Sequence, residues 1–91
     1  MSNPTAILFG RTGTILDEIN DELDAAIRTF PPFNSAHEGY AVIAEELDEL
    51  WQEVMANKGG TRLAINRDVM RREAIQVAAM AVRFIIDVTD P

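Results

Sequence analysis

The residues most able to do chemistry stand in two short elements. The first is Glu45-Glu46-Leu47-Asp48-Glu49, with Glu53 one turn further on. The second is Glu73-Ala74-Ile75-Gln76. At about 100° per helical residue, Ile43, Leu47, Leu50 and Val54 form an apolar stripe. Glu46, Glu49 and Glu53 line one border of that stripe, Glu45 lies slightly further out, and Asp48 points the opposite way. Like charges four residues apart cost a helix about 0.2–0.5 kcal/mol per pair. No basic residue between Tyr40 and Asn57 offsets them. Glu73 falls in line with Val69, Val77, Met80 and Phe84, and a carboxylate on an apolar face needs a partner. Two such helices side by side would set Glu46 and Glu49 opposite Glu73 and Gln76. Three carboxylates and an amide oxygen make an all-oxygen set, which suits Mg²⁺ or Mn²⁺ rather than zinc or copper.

The bases are distributed to match. Lys58, Arg62, Arg67, Arg71 and Arg72 are five of the eight Lys and Arg residues, and they follow directly on the acidic segment. A divalent ion beside basic side chains is what a polyphosphate requires, since the ion neutralises phosphate oxygens and activates water while Lys and Arg hold the remaining charge. The plainer alternative is an acidic solvent face balanced by a basic patch.

Helices must position these groups. An N-terminal arm over residues 1–13, punctuated by Pro4, Gly10 and Gly13, is expected to pack Ile7, Leu8 and Phe9 on the body without building regular structure. Residues 14–91 form the single helical domain. Its first helix is expected from Ile15 to Phe30, capped by Thr14 and ended by Pro31-Pro32. Ser35-Ala36-His37-Glu38 reads as a capping box opening the second helix, which runs to Asn57 before Gly59-Gly60. The third starts between Thr61 and Asp68 and continues to Val88. From Val77 to Ile86 only Arg83 is not apolar, and two neighbouring helices cannot cover a helix apolar on all sides. A further subunit is expected to complete the cover. No strand pattern competes.

Composition removes other classes. The 91 residues are 47% hydrophobic and 25% charged, a globular balance. There is no Cys and one His, so thiolate chemistry and a His-rich zinc site are excluded. A net charge of −7 repels bare nucleic acid and anionic membrane. Gly10-Arg11-Thr12-Gly13 lacks the Lys-Ser/Thr of a phosphate loop. Without a long apolar segment behind basic residues, the chain is expected to stay in the cytoplasm.

On Glu45-Glu46-Leu47-Asp48-Glu49 and Glu73-Ala74-Ile75-Gln76, the chain resembles the MazG-like members of the all-α nucleoside triphosphate pyrophosphohydrolases. The family signature is Glu-Glu-x-x-Glu on one helix and Glu-x-x-Asp on the next. The first element is intact here, whereas Gln76 stands where the second has Asp. The similar stretch runs from His37 to Val88. The resemblance implies an all-α fold, three main helices in an antiparallel bundle completed by a homodimer or homotetramer. It implies Mg²⁺-dependent conversion of a nucleoside or deoxynucleoside triphosphate to the monophosphate and pyrophosphate. Carried over by position, Glu46, Glu49, Glu73 and Gln76 would hold the metal. Glu45 would orient water or hold a second ion, and Glu45 or Glu49 would accept the proton as water attacks phosphorus in line. Gln76 can still coordinate through its amide oxygen but brings no charge and cannot act as a base. Lys58 and Arg62 are the expected phosphate clamps. His37 and Tyr40, with Phe33, Asn34 and Trp51, are candidates for the rest of the nucleotide. Two other readings share these residues: a non-catalytic metal- or nucleotide-binding relative, and a helical module whose acidic face meets a basic partner.

Overall fold

The computed structural model describes residues 4–56 and 64–91, and side chains for 10–56 and 67–91. All regular structure in these residues is helical: α1 (Pro4–Thr29), α2 (Ala36–Ala56), α3 (Ala64–Phe84) and a closing π-helical turn (Ile85–Thr89). None of the described helices is long and apolar enough to cross a membrane.

α1 corrects the expected arm, because the helix begins at Pro4 and passes through both glycines. Proline is tolerated in a first turn, where its missing N–H has no intrahelical partner to lose. Each interior glycine costs about 1 kcal/mol against alanine, a penalty that a helix of 26 residues can absorb. Thr14 is therefore not a cap. Its hydroxyl donates to the Gly10 carbonyl at 3.0 Å, the bond of a threonine within a helix. The side chains of Ile7, Leu8 and Phe9 lie outside the described residues. Pro31-Pro32 ends α1 as expected, after a last backbone bond from Phe30 N–H to Ala26.

At the start of α2 the Ser35 hydroxyl accepts from the Glu38 amide at 3.1 Å. The reciprocal half of the box is absent: the Glu38 carboxylate instead accepts from the Asn34 side-chain amide at 3.1 Å. α3 is continuous from Ala64 to Phe84.

Among the described residues, α3 carries the main packing, against both α2 and α1. α2 runs antiparallel to α3, with Gly39 against Phe84 at one end and Glu46 and Glu49 by Glu73 at the other. α1 runs parallel to α3. Glu18 meets Arg71 near one end, and Ala26 and Phe30 meet Arg83 near the other. The order is up-down-up, an open three-helix bundle centred on α3 and measuring 44 × 40 × 19 Å. Among the described residues few side chains are deeply buried, Leu23 and Ala79 being the buried apolar ones.

Arg83 secures the open layer. The residue is 2% exposed. Its guanidinium donates to the carbonyls of Ala26 at 2.9 Å and Phe30 at 2.7 Å, satisfying the end of α1. Its Nε donates to Asp87 at 3.0 Å, and the group lies 5.4 Å from the Phe33 ring centre. Asp87 also accepts from the Phe33 amide at 3.1 Å. One ion pair thus ties the end of α1, the α1–α2 connection and the end of α3 together.

Candidate metal centre

Glu46 and Glu49 share a face because residues three apart in a helix are neighbours. α3 docks beside the acidic border of the α2 stripe rather than on its middle. Leu47 and Val54 remain 53% and 43% exposed, whereas Ile43 and Leu50 are half-buried. Gly39 permits this approach: a Cβ there would stand 2.6 Å from Phe84 and 3.0 Å from Phe33. One carboxylate oxygen each from Glu46, Glu49 and Glu73 then lie within 4.8 Å of one another.

The electrostatics of this group are unfavourable without a cation. Glu46 and Glu73 are half-buried and Glu49 is exposed. The Oε2 atoms of Glu46 and Glu73 are buried and accept no hydrogen bond from the described residues. Burial raises the Glu46 carboxyl to about 7, helped by the charges of Glu49, Glu73 and Glu45. Glu73 is also raised, first by burial and then by Glu49 and Glu53, with Arg72 acting the other way. Two orphaned oxygens converging with a third carboxylate fit a hard divalent ion, which supplies the missing positive charge.

A cleft of about 580 Å³ opens beside the cluster, between α1 and α2 and above α3. Glu45, Glu46 and Gln76 line it at the cluster end, where Glu22 faces them from α1. Phe30, Phe33, Glu38, Met80 and Arg83 line the remainder. Three of the expected metal residues, Glu46, Glu49 and Glu73, are thus brought to one place, while Gln76, three residues beyond Glu73 on α3, lines the cleft. Glu45 is exposed and lines the cleft. Glu53 stands within electrostatic reach of Glu73. Of the substrate candidates, Phe33 lines the cleft, while Asn34, His37 and Tyr40 are exposed outside it. Trp51 is 57% exposed, so it belongs to no core among the described residues. Lys58 and Arg62 lie outside the described residues. Arg71 is committed to an exposed ion pair with Glu18, which lowers the Glu18 carboxyl.

Sequence reasoning did not single out Glu22, Glu38 or Arg83 as cleft residues. The available signal was the lone Arg83 in an apolar run, together with a helix end whose carbonyls needed donors. No family model, curated protein or solved structure matches the chain.

Proposed function

We propose that the protein is a Mg²⁺-dependent nucleoside triphosphate pyrophosphohydrolase of the MazG-like kind, working in the cytoplasm as a homodimer or homotetramer. One observation carries this reading: carboxylates from two antiparallel helices converge within 4.8 Å, and two of their oxygens are buried without a partner. Glu46, Glu49 and Glu73 would hold the ion, with Gln76 beside them. Mg²⁺, when bound, neutralises phosphate charge and makes water more acidic. Glu45, at the cleft edge, orients the attacking water in line with the phosphorus, and Glu45 or Glu49 accepts its proton. Lys58 and Arg62 hold the remaining phosphate charge.

The test is pyrophosphate release from a panel of ribo- and deoxynucleoside triphosphates with Mg²⁺ or Mn²⁺. Turnover of at least one member, lost in Glu46→Gln and in Glu73→Gln, is the expected result. Silence across the whole panel rejects the reading.

Gln76 favours a second reading, a metal- and nucleotide-binding relative that does not catalyse. An amide brings neither the charge nor the basicity of the family's carboxylate. Turnover that appears only in Gln76→Asp would select this second reading.

A further inference from the structure

The two ends of the cleft differ in chemistry. Glu46 and Gln76 belong to the end shared with the carboxylate cluster, and Phe30, Glu38 and Arg83 to the other. From Glu46 to Glu38, α2 spans about 12 Å at the helical rise of 1.5 Å per residue. A nucleotide whose phosphates meet the cluster would lay its base at the Glu38 end. The inference below rests on that placement, and so on the proposed function.

The far end presents one acceptor and one donor. Glu38 Oε2 is held by the Asn34 amide at 3.1 Å, which leaves Oε1 to accept from a ligand. A guanidinium carries five N–H groups. Three of those of Arg83 are used, to Asp87, Ala26 and Phe30. Two are left without an acceptor among the described residues, on a side chain that lines the cleft and is 3% exposed. Buried donors without acceptors are costly, so a ligand acceptor there is favoured. The Phe30 ring, in a residue 63% exposed, is available for stacking, whereas Phe33 already has Arg83 over it.

We propose that this end of the cleft selects bases carrying an exocyclic amino group, with Glu38 accepting from the amino group and Arg83 donating to a ring acceptor beside it. Replacing the amino group by a carbonyl sets oxygen against the Glu38 carboxylate, two acceptors facing each other. Cytosine against uracil and adenine against hypoxanthine make this change, and each also turns the neighbouring ring nitrogen from an acceptor into an N–H donor, which sets a donor against Arg83.

The experiment compares dCTP with dUTP, and dATP with dITP, by kcat/KM and by equilibrium binding with Mg²⁺. The amino member of each pair should be favoured by about tenfold or more, the scale of one hydrogen bond to a charged group. Glu38→Gln should bring both ratios towards one, because an amide can turn its N–H groups to a carbonyl. The cap is untouched in that variant, since Ser35 accepts from the backbone amide, and an unchanged melting temperature confirms that it folds. Equal handling of both members of each pair, or ratios unmoved by Glu38→Gln, overturns the proposal while leaving the pyrophosphohydrolase reading intact. If no triphosphate binds or turns over, the underlying reading falls and the selectivity falls with it.

Discussion

Glu46 ties the chemistry of the site to the stability of the protein. Its carboxyl is raised from 4.5 to about 7, chiefly by burial. Between those pH values the folded chain holds a proton that the unfolded chain has released. Stability from this group is therefore fully present below pH 4.5 and lost as the pH rises towards 7. One group contributes a slope of at most about 1.4 kcal/mol per pH unit. Glu73 acts in the same direction. Glu18, lowered by its bond to Arg71, acts oppositely at acid pH, and solvent screening of this exposed pair weakens its share. A bound cation removes the penalty at Glu46 and Glu73 by competing with the proton. Urea unfolding should show a larger gain from Mg²⁺ over EDTA at about pH 7.5 than at about pH 5. A gain independent of pH would separate the ion from these carboxyls. In metal-free protein at neutral pH, Glu46→Gln should stabilise by about 1 kcal/mol, since it removes a charge that burial disfavours. The convergence of Glu46, Glu49 and Glu73 was legible in the sequence because helical spacing fixes the face on which each residue lies. Arg83 was not, because its acceptors at Ala26 and Phe30 are backbone carbonyls that leave no mark on a side-chain pattern.

Among the elements, α2 and α3 were legible and the beginning of α1 was not. Glycine and proline punctuate strongly, so Pro4, Gly10 and Gly13 read as an arm. Neither glycine meets anything, however: a Cβ at Gly10 or Gly13 would have no neighbour within 4 Å. Gly10→Ala and Gly13→Ala should each stabilise the chain by about 0.4–1 kcal/mol in thermal unfolding, through lost freedom of the unfolded chain. Gly39 is the opposite case. A methyl group there meets the Phe84 ring at 2.6 Å, in the helix pair that carries the cluster. Gly39→Ala should cost about 1–3 kcal/mol, as overpacking does, and weaken metal binding by moving Glu46 away from Glu73. Unchanged stability and metal affinity would show that the α2–α3 spacing is not set at this point.

At the scale of the whole molecule, the layer is 19 Å thick, about two helix diameters, and leaves much apolar surface uncovered. Its radius of gyration of 15.5 Å exceeds the value of about 12 Å for a compact chain of this length. Tyr40, Leu47, Trp51 and Val54 recur along one side of α2 at successive steps of seven, four and three residues, all more than 40% exposed. Val82 near the end of α3, and Ile85 and Ile86 in the π-helical turn that follows it, are open to solvent. The apolar run of α3 had indicated cover from outside the chain; the breadth of the uncovered α2 side had not been legible, because a helical wheel does not fix where a neighbour sits. A second copy is the proposed cover. Sedimentation equilibrium should give a dimer or tetramer, and Leu47→Glu together with Trp51→Glu should shift it towards the monomer if α2 contributes. A wild-type chain that is monomeric throughout would remove self-association from the account.

The convergence of two helices on one divalent ion is most directly tested by titrating Mn²⁺ into the protein and following free Mn²⁺ by electron paramagnetic resonance. Saturable binding is expected in the wild type, weakened about tenfold or more in Glu46→Gln and in Glu73→Gln, a range known for lost metal-site interactions. Equal Mn²⁺ affinity in the wild type and both variants would contradict the site and the function built on it.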